Sequence, residues 1–274
     1  MSPVACMTKH DFNIIVQPGI DKGVERSIWL NGTYEEGTLA IFSMLLRKGD
    51  VVLDVGANIG LMTLHAACLV GETGKVFSFE PMPEIFAQLQ SNIELNSATQ
   101  VHPFSMALGA ESGALPIFAH PEINRGSSSL LCDVTAKPAH VTRVLTLDEF
   151  VSREVPTPIR LVKVDVEGWE LEVLKGAKAT LSGQDAPILC VECSELHPIS
   201  GGSIADLFDF IRRVNGYRCF VLEHGKGRPS DLIEVKNTDQ LPQHDNLFCF
   251  PISGRNAVDP TAAMSGVQSD VVNN

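Results

Sequence analysis

Short apolar runs, each followed by a stretch of helical periodicity, govern what this chain can fold into. VVLDV at 51–55 precedes LMTLHAACLV at 61–70, and KVFSFE at 75–80 precedes PEIFAQLQSNIELN at 83–96. IRLVKVDV at 159–166 precedes WELEVLKGAKATL at 169–181, and PILCVEC at 187–193 precedes SIADLFDFIRR at 203–213. Runs that do not alternate with polar residues suit strands buried on both faces. Strand–helix pairs in series build a mostly parallel sheet with helices on both faces and right-handed crossovers. The predicted class is α/β.

Other segments fill in around this repeat. QVHPFSMAL at 100–108 supplies a third strand, and YRCFVLE (217–223) and NLFCFP (246–251) a sixth and a seventh. ALPIFAH at 114–120 reads as an accessory strand, and TLDEFVSR at 146–153 as a short helix opened by a threonine cap. Upstream, residues 12–31 alternate enough for one or two strands, with a hairpin through Pro18-Gly19 or Asp21-Lys22-Gly23. TYEEGTLAIFSMLL at 33–46 has a helical period that puts Leu39, Phe42, Leu45 and Leu46 on one face. From Ser253 the chain is small, polar and patternless, as disordered tails are. The predicted organisation is an extension over 1–33, one domain over 34–252 and a tail over 253–274.

Composition excludes several classes of function. The formal charge is −12, from 21 basic and 33 acidic side chains, which repels a phosphate backbone and argues against a nucleic-acid partner. No window is apolar for a membrane-spanning length, and the first residues lack a basic region followed by an apolar core, so a soluble cytoplasmic protein is expected. Cys190 and Cys193 form a C-x-x-C inside a predicted strand rather than at a strand-to-helix turn. They read as reduced structural thiols.

The first strand of the repeat ends in DVGANIG, residues 54–60. Ligands of open α/β sheets bind beyond the carboxyl ends of the strands, where strand order reverses. Gly56 and Gly60 let the backbone turn sharply and approach a ligand closely, and the amides of the next helix favour anionic groups. Dinucleotide sites read G-x-G-x-x-G; this turn has Asn58 between its glycines and Asp54 ahead of them. An acid there suits a ligand with an ammonium group. The second strand ends in Glu80, placed to accept hydrogen bonds from two ribose hydroxyls. Adenosine joined to a cationic amino acid describes S-adenosylmethionine. After the third strand, Met106 and Ala107 are expected beside the adenine.

The stretch from Val51 to Asn96 resembles the cofactor half of FkbM-type S-adenosylmethionine-dependent methyltransferases. LVKVDVEGWELEVLKGA (161–177) is similar to that family's second signature, and VLTLDEF (144–150) to its T-L-D segment. The resemblance covers about 34–195. It implies a class I methyltransferase fold: a seven-stranded sheet whose seventh strand runs antiparallel beside the fifth. It also implies methylation of hydroxyls on sugars, polyketides and other natural products, and it carries Asp165, Glu167, Gly168 and Glu170 onto matching positions.

Methyl transfer needs the acceptor aligned with the methyl carbon and its proton taken or shared. Asp165, at the end of strand four, is the first candidate to face the methyl group or the acceptor, with Lys163 on the same side by alternation. Glu192 ends strand five, and His197 follows as a candidate base. Asp165 and Glu192 also present oxygens suited to Mg2+. Glu167 and Glu170 have a second reading as acids at a helix start. Asn124–Leu130, with Tyr34 or Glu36, are candidates for the acceptor pocket. An N-methyltransferase, a non-catalytic S-adenosylmethionine-binding module and a nicotinamide-dependent oxidoreductase stay open from the residues alone.

Overall fold

Every residue of Val51–Val55 is buried, as expected of a strand covered on both faces. In the computed structural model, which describes residues 2–118, 139–155, 157–194, 200 and 202–260, this strand sits near the centre of the main sheet. In chain order the strands are β1 (Val4–Met7), β2 (Asn13–Val16), β3 (Val51–Val55), β4 (Lys75–Phe79), β5 (Val101–Phe104), β6 (Ala107–Leu108), β7 (Gly113–Ile117) and β8 (His140–Leu145). They continue as β9 (Leu161–Val164), β10 (Ile188–Ser194), β11 (Arg218–Leu222), β12 (Leu232–Val235) and β13 (His244–Phe250). The helices are α1 (Val24–Asn31), α2 (Glu36–Leu45), α3 (Leu61–Val70), α4 (Pro83–Leu95), α5 (Leu147–Glu154), α6 (Glu170–Lys175), α7 (Lys178–Ser182) and α8 (Ile204–Asn215).

The main sheet has eight strands in the order β12-β11-β13-β10-β9-β3-β4-β5. Without β12 this is the class I methyltransferase order, with β13 antiparallel to β10 as the resemblance implied. The extra edge strand corrects the expected seven; β12 is a four-residue hairpin return beside β11. β6, β7 and β8 form a small separate sheet. The order reverses between β3 and β9, whose parallel pairing places the ends of the two strands side by side.

Alternation within the strands divides the core into two layers. Val52 and Val76 pack with Leu39, Phe42 and Leu64 of α2 and α3. Leu53 and Phe77 pack with Phe150, Leu174 and Phe208 of α5, α6 and α8. Leu39, Phe42, Leu45 and Leu46 are all buried, as the period of 33–46 predicts. The helix expected over 169–181 is two helices, α6 and α7, on either side of Gly176-Ala177, and a Cβ at Gly176 would lie 2.0 Å from the Gly109 carbonyl oxygen. Thr146 Oγ1 accepts from the Glu149 amide and caps α5. Asp148 serves the neighbouring helix instead: its carboxylate accepts from the Ala179 and Thr180 amides, both at 2.8 Å, at the start of α7.

The N-terminal region departs from expectation. Its hairpin is β1–β2, closed over residues 8–12, and 24–31 is a helix rather than a strand. The Asp21 carboxylate accepts from the Gly23 and Glu25 amides, which turns the chain into α1. Among the described residues, the outer edge of β2 has no strand beside it. Side chains of α4 and of Asn96, which caps its C-terminus, take that place: Asn92 and Asn96 accept from the Ile15 and Asn13 amides, and Gln88 and Asn96 donate to the carbonyls of Ile15 and Asn13. Phe12, Ile14, Val16 and Ile28 meanwhile join the core layer of α2 and α3.

At the other end, residues 253–260 pack on the domain, where buried Asn256 donates to the Ile159 and Ala186 carbonyls. The rest of the expected tail, the Asn124–Leu130 loop and His197 lie outside the described residues.

Candidate active site

The β3–α3 turn is built for close approach. The Gly56 and Ala57 amides donate to the Phe79 carbonyl, tying the turn to β4. Gly56 has φ +84°, and a Cβ on it would fall 1.8 Å from the Asp165 carbonyl oxygen, so only glycine lets β3 and β9 end side by side. Asn58 also adopts positive φ, and its side chain accepts from the Ile59 amide at 2.7 Å.

A cavity of about 470 Å³ opens above these strand ends. Glu80 lines it beside the turn; its carboxylate accepts from the Asn58 amide at 3.1 Å and the Met82 amide at 2.9 Å. Burial pushes the Glu80 carboxyl up to about 7 despite these two donors. Met106 and Ala107 line the same cavity, as do Leu108, Ile117 and Phe79, which gives it an apolar side suited to a flat ring.

Asp54 corrects an expectation. It does not line the cavity but lies behind it, 1% exposed, with Oδ2 accepting from Thr63 Oγ1 at 2.6 Å. Among the described residues its Oδ1 has no hydrogen-bond partner, and it stands 3.8 Å from Lys163 Nζ. Burial raises the Asp54 carboxyl, and Lys163 opposes this. Strand alternation turns the side chain toward α3 rather than into the cleft.

The opposite wall carries Asp165, Lys163 and Glu192. Lys163 is buried and donates to Asp165 Oδ2 at 3.0 Å. Burial tends to raise the Asp165 carboxyl, but Lys163 and Lys226 outweigh it and hold it below the usual carboxylate range. Burial and the charge of Asp165 drive Glu192 well above its usual range.

Mg2+ does not fit these residues. Asp165 and Glu192 each face a lysine ammonium, at 3.0 and 2.8 Å, and among the described residues no three His, Cys, Asp or Glu side chains converge as a metal site.

Glu167, at φ +54°, lines the cavity. Glu170 does not: it is buried and accepts from the Val166 and Gly168 amides at 3.0 and 3.1 Å, fixing the turn that leads into α6. Tyr34 lines the cavity, whereas Glu36 points away and pairs with Lys9 at 3.6 Å. Its neighbour Glu35 takes the expected place.

Sequence reasoning missed Glu35, Lys226 and His244. Lys226 Nζ sits 2.9 Å from Glu35 Oε1 and 2.8 Å from Glu192 Oε1, and its carbonyl accepts from the Gly37 amide at 3.0 Å. A signal was present: HGKGR at 224–228 is a basic turn between two strands of an acidic chain.

Compared with known proteins, residues 54–219 match the family description "Methyltransferase FkbM domain". The chain belongs to the FkbM methyltransferase family. A hexuronic acid methyltransferase from Haloferax volcanii is 36% identical over 143 residues, 52% of this chain and 56% of that one. The 31-O-demethyl-FK506 methyltransferase FkbM of Streptomyces tacrolimicus is 28% identical over 57% of this chain and 68% of its own length. The match therefore spans little more than half of the Haloferax volcanii relative. Among solved structures, a methyltransferase FkbM from Methylobacillus flagellatus is similar at 18% identity and a TM-score of 0.47, over 76% of this chain and 47% of that one. Among the described residues, no helix is long and apolar enough to cross a membrane.

Proposed function

We propose that the chain is an S-adenosylmethionine-dependent methyltransferase that methylates a hydroxyl of a small molecule, natural product or sugar. The observation that carries this reading is the Glu80 carboxylate beside the glycine turn, facing across one cavity the ion-paired acids Asp165 and Glu192. A relative whose name specifies a 31-O position of FK506 supports oxygen as the acceptor atom, and one named for a hexuronic acid supports a sugar as the acceptor.

S-adenosylmethionine supplies a methyl group activated on a sulfonium. Glu80 keeps lone pairs beyond its two amide donors to accept from the ribose hydroxyls. The 56–60 turn gives the amino-acid portion an approach free of side chains, and Met106 and Ala107 flank the base. Asp165, kept ionised by Lys163, offers negative charge to the cationic part of the ligand, in place of the buried Asp54. A carboxylate held below its usual range is a weak base, so electrostatic positioning is the role it fits. Glu35, Lys226 and Glu192 form the acceptor wall.

Calorimetric titration with S-adenosylhomocysteine tests the reading: saturable binding is expected, and no heat at millimolar ligand would discard it. Incubation with S-adenosylmethionine and glucuronic acid, glucose or a macrolide alcohol then reports transfer as S-adenosylhomocysteine formed.

A further inference from the structure

We propose that His244 takes the proton of the acceptor hydroxyl, its ring held by Ser194 and Glu192; this rests on the methyl-transfer reading. β13 runs against the parallel strands, so its first residue stands at their carboxyl ends, paired in register with Ser194 of β10. The His244 side chain lines the cavity and is 41% exposed.

Nδ1 faces two oxygens, Ser194 Oγ at 3.0 Å and Glu192 Oε1 at 3.8 Å. Two oxygens on one ring nitrogen favour the tautomer with its proton there, and Nε2 is left as a base. Among the described residues Nε2 has no hydrogen-bond partner.

The surrounding charges suit a ring that starts neutral and ends charged. Burial and Lys226 hold the imidazole below its ordinary value, against the pull of Glu35, Asp165 and Glu167. Glu192 approaches from β10, and Asp245 follows on the same strand. The other groups on this wall serve poorly as bases: Lys163 and Lys226 are held protonated by their carboxylates, and Asp165 is held ionised.

In the step, the acceptor oxygen bonds to the methyl carbon as the carbon–sulfur bond breaks. The electron pair of that bond stays on sulfur, and the acceptor proton passes to Nε2. One positive charge thus leaves sulfur and appears on the imidazolium, near three carboxylates that stabilise it.

The test uses the full chain labelled with 15N-histidine and saturated with S-adenosylhomocysteine at neutral pH, His244 being assigned by its loss in His244→Gln. A neutral ring protonated on Nδ1 is expected. A proton on Nε2, or on both nitrogens, overturns the proposal. With any hydroxyl acceptor that turns over, His244→Gln should lower kcat by about 100-fold or more, with KM and S-adenosylhomocysteine affinity unchanged. Added imidazole should restore part of the activity of His244→Ala. An unchanged kcat overturns the proposal. Failure of wild-type chain to bind S-adenosylhomocysteine overturns the methyl-transfer reading instead.

Discussion

Lys226 Nζ lies 2.9 Å from Glu35 Oε1, a pair that joins the turn between β11 and β12 to the start of α2. The same ammonium reaches Glu192 Oε1 at 2.8 Å, and the lysine side chain is 12% exposed. Asn246 Nδ2 backs the pair by donating to Glu35 Oε2 at 2.9 Å. Lys226→Met leaves two buried acids facing each other without a cation. The expected loss of stability is about 3–5 kcal/mol, read from urea unfolding. Coupling with Glu35→Gln in a double-mutant cycle should be about 0.5–3 kcal/mol; additive effects would show that the contact contributes nothing.

Glu80 makes ligand affinity depend on pH. Its carboxyl titrates at about 7, and only the ionised form accepts from both ribose hydroxyls with both oxygens. Raising the pH through 7 ionises it, so S-adenosylhomocysteine should bind more tightly at pH 8 than at pH 6, by up to about tenfold. Glu80→Gln should bind weakly and flatten the profile. Calorimetry at the two pH values decides it.

Asp54 should behave as a structural acid. In Asp54→Asn the Thr63 hydroxyl keeps an acceptor, while Lys163 keeps only Asp165. Stability is expected to fall by about 1–3 kcal/mol, with a smaller change in S-adenosylhomocysteine affinity than Glu80→Ala causes. The reverse ranking would put Asp54 in the binding site.

His65 gives the fold an acid limit. Its ring is buried, 4.6 Å from that of His10, and burial first and His10 second push it down to about 4. The unfolded chain binds this proton near pH 6.5, before the folded one does. The stabilisation is therefore complete above that pH and is lost as pH falls toward 4, by about 3 kcal/mol. Subtracting the pH–stability curve of His65→Gln isolates the effect from Glu80 and Glu170. Both of those have carboxyls raised to about 7 and work in the opposite direction. A flat difference curve would remove His65 from the account.

What the residue order revealed was mostly local. Gly56, Asn58, Gly60 and Glu80 lie within or just beyond predicted strands, and their places followed from strand ends and turn geometry. Lys163, Asp165 and Glu192 followed from the same logic. Asp54 was misplaced because its side-chain direction depends on which helix covers the strand. The sequence points to Glu36, but Glu35 is the residue at the cavity, because one position at the start of a helix turns a side chain away. Lys226 and His244 become neighbours of Glu192 only through the hairpin β11–β12 and the reversal of β13, contacts remote in sequence. The hairpin expected near Pro18-Gly19 gave way to α1 because the Asp21 carboxylate turns the chain into a helix.

The amide ladder from α4 to β2 makes the folding unit larger than its family signature. A fragment trimmed to 54–219 would strip Gln88, Asn92 and Asn96 of their partners on β2, and it would remove α2 and most of β3 together with Phe12, Ile14, Val16 and Ile28. It would also lose β12, β13 and the lysine that neutralises Glu192. Such a shortened protein should be prone to aggregation even though every hallmark residue of its cofactor half is retained.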